Sequence, residues 1–145
     1  MKTFKGRVTR YVPNKQYGFA KDPDSEEEVF FHLGEFRWLG SMGSPPPVVG
    51  EWVECEYDPS IPKRGSAIRA RRVARVNQPN EIEGVVLTFD SHRGYGYIKG
   101  DDGRDYYLHR SEVEDNILPV VGERVRFYDG FMKGKPRACY IRRCS

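Results

Sequence analysis

The chain contains the same text twice. Gly6-Arg7-Val8-Thr9-Arg10-Tyr11 and Lys15-Gln16-Tyr17-Gly18-Phe19-Ala20 are answered by Gly84-Val85-Val86-Leu87-Thr88-Phe89 and Arg93-Gly94-Tyr95-Gly96-Tyr97-Ile98, both at an offset of 78 residues. Val29-Phe30-Phe31-His32-Leu33 is answered by Tyr106-Tyr107-Leu108-His109-Arg110. Pro47-Val48-Val49-Gly50-Glu51 returns letter for letter as Pro119-Val120-Val121-Gly122-Glu123, now 72 residues on, and Arg69-Ala70 answers Arg137-Ala138 at 68. The falling offset puts the length differences in turns, as a duplicated fold requires. The acidic turn 22–28 and the Pro-rich segment 34–46 are longer in the first copy.

Each copy reads as five short strands. They are expected near 4–12, 16–22, 28–33, 50–57 and 67–74, then near 82–90, 94–99, 104–109, 122–129 and 135–142. These stretches are rich in Val, Tyr and Phe and are separated by Gly, Pro, Asp and Asn. No segment sustains a helical period over three turns. Five such strands close best as a small barrel, which leaves no exposed edge. The expected organisation is a first barrel over 1–76, a short polar joint over 77–81 and a second barrel over 82–145.

Strand alternation then sorts the aromatics, because successive side chains point to opposite faces. Val29, Phe31 and Leu33 form the apolar set, which sends Tyr17, Phe19, Phe30 and His32 outward. In the second copy Ile98, Tyr106 and Leu108 go inward, leaving Tyr95, Tyr97, Tyr107 and His109 outside. Aromatics clustered on a wet face beside Lys15 or Arg93 suit nucleic-acid bases, each of which offers a π-face for stacking. Burial of the rings against another protein surface is the competing explanation.

These two motifs, in order and twice over, resemble the paired ribonucleoprotein-type motifs of the cold-shock domain family. The resemblance covers residues 4–73 and 82–141. It implies an all-β chain of two tandem five-stranded OB-type, cold-shock-like barrels that bind single-stranded RNA or DNA across strands two and three. It also implies little sequence preference. By that resemblance Tyr17, Phe19, Phe30, His32, Tyr95, Tyr97, Tyr107 and His109 stack bases, with Lys15 and Arg93 as the basic partners. There are departures. The family's exposed strand-one tryptophan is Arg10 here and Thr88 in the second copy, Gln16 stands where the motif begins with glycine, and Leu33 and Arg110 follow the histidines. Trp38, in the extended loop, is a candidate replacement platform or a residue that packs that loop onto the barrel. Trp52 reads as a structural strand residue.

Charge adds a little. Residues 1–80 hold 13 Lys+Arg against 10 Asp+Glu, whereas residues 81–145 hold 11 of each. The run Arg69-Ala70-Arg71-Arg72-Val73-Ala74-Arg75 reads as a solvated strand edge or a phosphate contact. The acidic turn 22–28 reads as a solvated hairpin tip, or as a group that fends off duplex or docks a basic protein surface. Three cysteines without a CxxC pair point to free thiols and a reducing compartment. The first twenty residues hold no apolar run, so neither a signal peptide nor a membrane span is expected, and a cytoplasmic monomer is. No catalytic residues, no metal site and no cofactor are expected, since nucleophile elbow, phosphate-cradling loop and HExxH are all lacking, and His92 reads as a turn residue. A transcription or translation protein is the alternative partner. The missing tryptophans, the acidic turn and the neutral second copy favour that alternative.

Overall fold

A computed structural model describes residues 1–40, 44–63, 65 and 67–144. The chain divides into two compact units, Met1–Pro79 and Asn80–Ser145.

The first unit contains β1 (Lys2–Val12), β2 (Tyr17–Lys21), β3 (Glu28–His32), β4 (Phe36–Arg37), β5 (Trp52–Tyr57) and β6 (Ile68–Arg75). The order β3-β2-β1-β5-β6 is antiparallel throughout, and a parallel pairing of β3 with β6 closes the ring. The two-residue β4, absent from the sequence reading, adds to β6 through Phe36 and Val73. The second unit contains β7 (Glu81–Asp90), β8 (Tyr95–Gly100), β9 (Asp105–His109), β10 (Arg124–Met132) and β11 (Lys135–Arg143). These form a closed barrel sealed by the parallel pair β9–β11. Both are the expected five-stranded barrels.

Both cores are filled by the inward-facing set that strand alternation predicts. Val8, Ala20, Val29, Phe31, Val53, Ile68 and Val73 are buried in the first, and Val86, Ile98, Tyr106, Leu108, Val125, Phe127 and Ile141 in the second. Burial of Cys55 pushes its thiol up to about 12, so it is a small core hydrophobe rather than a nucleophile. β1 and β7 carry a bulge at the same repeat position, Val8/Arg10 and Val86/Thr88. There the neighbouring strand comes so close that only glycine fits. A Cβ on Gly18 would lie 2.6 Å from the Arg10 carbonyl oxygen, and one on Gly96 only 1.9 Å from that of Thr88. The expected starts of β5 and β10 at the glycines were early by two residues. Gly50 and Gly122 have φ near +91° and +92°, which belongs to a turn.

The arginine-rich run does not behave as one solvated edge. Arg69, Arg71 and Arg72 are exposed, but Arg75 is buried. Its guanidinium donates to both carboxylate oxygens of Glu51 at 2.7 Å and to the Pro45 and Pro46 carbonyls at 3.0 Å. The second barrel repeats the arrangement. Arg143 pairs with Glu123 at 3.1 Å and donates to the Ile117 and Leu118 carbonyls at 3.2 and 3.0 Å. A buried guanidinium is tolerated only when its donors are satisfied, and here a carboxylate and two carbonyls do so.

Candidate nucleic-acid interface

β2 and β3 pair in the register that brings the outward rings together: Tyr17 opposite His32, and Phe19 opposite Phe30. Phe30 lies 5.6 Å from Tyr17 and 5.7 Å from Phe19, and Tyr17 stands edge-on to Phe19 at 6.0 Å. In the second barrel Tyr95 is stacked on Tyr107 at 5.9 Å, Tyr97 meets Tyr107 edge-on at 5.9 Å, and His109 tilts against Tyr107 at 6.3 Å. Every ring is part-exposed and none enters a core. Two three-ring platforms thus lie on the outside of strands two and three. Each platform offers part-exposed ring surface to a planar ligand.

The histidines do two things. His32 Nδ1 accepts from the Gly34 amide at 3.3 Å, and His109 Nδ1 accepts from the Ser111 amide at 3.1 Å, so each caps the 3-10 turn that follows its strand. With Nδ1 accepting, the neutral ring carries its proton on Nε2, which can donate to a ligand. That 3-10 turn also holds an arginine. Glu35 grips Arg69 through two contacts, 3.1 and 3.3 Å, and the guanidinium sits 5.8 Å over the Phe30 ring. Burial works against the charge on Glu35, but the His32 amide and Arg69 outweigh it and hold its carboxyl below the usual range. At the same repeat positions Glu112 lies 3.5 Å from Arg137, whose guanidinium is 5.4 Å over Tyr107. The sequence marks Arg69 and Arg137 as a repeat pair, and Arg69 as part of a basic run, but assigns neither to the aromatic face. Their shared offset of 68 was the available signal.

Lys15 is exposed at the turn before β2. Arg93 is exposed at the equivalent turn, with Nη1 3.4 Å from the Tyr95 hydroxyl and Nε 3.9 Å from Asp90. Trp38 stands apart. Its ring meets Phe36 edge-on at 4.9 Å and lies 5.5 Å from the Arg75 guanidinium, and among the described residues no ring contact joins it to the Tyr17–Phe19–Phe30 platform. Of its two readings, packing of the loop onto the barrel is the one these contacts support. Trp52 is half-buried on β5 beneath Arg7 (4.8 Å) and Lys5 (5.5 Å), a strand residue as expected.

The acidic turn folds on itself. Asp22 accepts from the Asp24 amide and the Ser25 hydroxyl, both at 2.9 Å, and Lys21 pairs with Glu26 at 2.5 Å. Among the described residues no three His, Cys, Asp or Glu side chains gather as a metal site, and no helix is long and apolar enough to cross a membrane.

Comparison with known proteins finds several that this chain is similar to. Residues 82–144 match the family model described as "'Cold-shock' DNA-binding domain". A cold shock-like protein of Thermotoga maritima is 33% identical over 63 residues, which are 42% of this chain and 96% of that protein. Cold shock protein 1 of Lactiplantibacillus plantarum is 30% identical over 60 residues, 40% of this chain and 91% of that one. Human calcium-regulated heat-stable protein 1 is 33% identical over 85 residues, 58% of this chain. The match takes in 54% of that protein, so the chain spans about half its length. Among solved structures, drosophila Unr CSD456 aligns over 99% of this chain and 63% of its own, with 20% identity and a TM-score of 0.41.

Proposed function

The chain belongs to the cold-shock domain family, whose domains bind nucleic acid, and from that premise we propose that it holds single-stranded RNA or DNA by stacking bases on both aromatic platforms. The observation that carries this reading is the duplication of the platform itself. Two sets of three part-exposed rings occupy the same strands at the same register, each with a capping histidine, a carboxylate-held arginine and a basic turn residue. Tyr17, Phe19, Phe30, Tyr95, Tyr97 and Tyr107 stack bases, His32 and His109 donate from Nε2, and Lys15 and Arg93 meet phosphates. Stacking is sequence-tolerant and contributes about 1–3 kcal/mol per base. The role that follows is a nucleic-acid chaperone, or an accessory of transcription or translation, in the cytosol. Catalysis plays no part in it. Two tethered weak sites gain affinity when one strand engages both.

The test is a fluorescence-anisotropy titration of labelled RNA and DNA oligonucleotides at low and moderate salt. Tyr17→Ala/Phe30→Ala and Tyr95→Ala/Tyr107→Ala should each weaken binding about tenfold or more. The logarithmic salt slope should be about 0.7 per neutralised phosphate. Absence of binding to any oligonucleotide at low salt would reject this reading. A second reading, a protein-docking surface on the second barrel, has an observation of its own. Ile117, Leu118, Val120 and Val121 are all exposed, and a pull-down with Val120→Asp as control addresses it.

A further inference from the structure

Beside each platform lies a cavity, and the two cavities differ in chemistry. In the second barrel a cavity of about 520 Å³ is bounded by Tyr97 and Tyr107, by Met132 and Pro136, and by charged groups of both signs, the carboxylate of Asp105 against Arg137, Lys133 and Lys135. One wall is a tight hairpin. Lys133 and Gly134, both with positive φ (51° and 76°), join β10 directly to β11 as a two-residue turn whose twist matches the strands. Tyr97, at 42% the most exposed ring of either platform, supplies a free face.

We propose that this cavity is a guanine-selective base site; the inference rests on the stacking function above and adds a base preference to it. Guanine is the one common base that offers two adjacent donors, N1–H and the N2 amine, on one edge and two acceptors, O6 and N7, on another. A carboxylate takes the first pair, and a guanidinium fork gives to the second. Asp105 shares its strand face with Tyr107, so its carboxylate stands beside the stacked ring. Its one partner among the described residues is Lys99, at 3.2 Å, and both side chains are more than half exposed, so the pair is weakly held. Arg137 contacts Glu112 through a single nitrogen at 3.5 Å, and its buried Nε has no hydrogen-bond partner among the described residues. A buried donor without an acceptor is costly, and a turn of the guanidinium toward the cavity would give it guanine O6 and N7 as acceptors.

The first barrel is the internal control. Its cavity, about 450 Å³, is lined by Phe19, Phe30, Ile61, Pro62, Ala67 and Arg69. No carboxylate is among these lining residues, and Arg69 is already held twice by Glu35. That site stacks any base.

The experiment uses the full chain carrying Tyr17→Ala/Phe30→Ala, so that the second barrel dominates. Short oligothymidylates bear one central guanine, inosine (no N2 amine), 7-deazaguanine (no N7) or adenine, and anisotropy reads affinity. Guanine should exceed each of the others about tenfold. Asp105→Asn should bring guanine down to inosine, and Arg137→Lys should bring it down to 7-deazaguanine, because lysine lacks the fork. Equal affinity for guanine and adenine overturns the guanine site while leaving base stacking in place. No binding to any of the four overturns both. The analogue series needs no substitution in the cavity, so a variant that misfolds does not decide the outcome.

Discussion

The same five residues, Pro-Val-Val-Gly-Glu, precede the fourth barrel strand in both copies, yet Val48 is fully buried and Val120 is 63% exposed. The glutamates do not differ in role. Glu51 accepts from the Val48 amide and Glu123 from the Val120 amide, both at 2.7 Å, and each grips the arginine that ends its barrel. What differs is the surroundings. In the first barrel Phe36 and Trp38 lie against Arg75, and the ion pair is almost wholly buried. In the second barrel Asp115 occupies the position of Trp38 and pairs with Arg143 at 3.1 Å, and that arginine is 27% exposed. One polar clamp therefore works in a dry setting and a wet one. The first barrel has invested in its loop, the second in its short hairpin.

Four experiments would break or sharpen this contrast. Both tryptophans lie in the first copy, so their fluorescence follows that barrel while circular dichroism follows both. The largest effect is expected from Arg75→Met, which strands the buried Glu51 carboxylate and should cost about 3–5 kcal/mol in urea denaturation. Arg143→Met, in the wetter clamp, should cost about 1–2 kcal/mol. Equal losses would mean that burial is not what separates the clamps.

Next is Gly94→Gln. Gly94 has φ +76°, and a Cβ there would come 2.5 Å from Arg110 Cδ, so a loss of about 2 kcal/mol is expected from the left-handed backbone and the displaced side chain. Smaller is Tyr106→Phe, at about 1–2 kcal/mol, since the Tyr106 hydroxyl donates to Asp102 at 2.6 Å. Partial burial pulls the Asp102 carboxyl upward, but the Tyr106 hydroxyl and the Arg104 amide more than offset it and hold it below the usual Asp range. A carboxyl held below its unfolded value adds stability at neutral pH, and that addition is lost as pH falls from about 4 through the lower folded value. The gap between wild type and Tyr106→Phe should therefore narrow below about pH 4. Val29 occupies this position in the first barrel, which should show no such dependence on it. The smallest effect is a gain. Gln16 holds φ +57° where the second copy has glycine, and Gln16→Gly should stabilise the first barrel by about 0.5–1 kcal/mol.

The departure at Gln16 was visible in the sequence as a missing glycine, though not as backbone strain. Most of the architecture was equally legible. The repeat implied two barrels, and period-two alternation sent Phe31 and Leu108 inward and Phe30 and Tyr107 outward. The clamps were not legible, because alternation puts Arg75 on the face of Val73 but names no partner for its charge, and Glu51 lies 24 residues away. Nor was the wall at Met132–Pro136. Its residues become neighbours of Tyr97 only once β11 closes against β9, and a parallel closure leaves no local pattern. Trp38 was open for the same reason. Its partners, Phe36 and Arg75, meet only through β4, a strand too short to show in a hydrophobic pattern.

The recurrence of Pro-Val-Val-Gly-Glu also bears on how the two halves tolerate change. In a saturation scan, position 48 should accept little beyond small hydrophobes, whereas position 120 should accept almost any residue that leaves its amide free to donate. Positions 51 and 123 should both resist, each needing a carboxylate for an amide and an arginine at once. A duplicated segment can thus keep its spelling for one residue's sake. Similarity between the halves then traces the polar latch more faithfully than the oily interior.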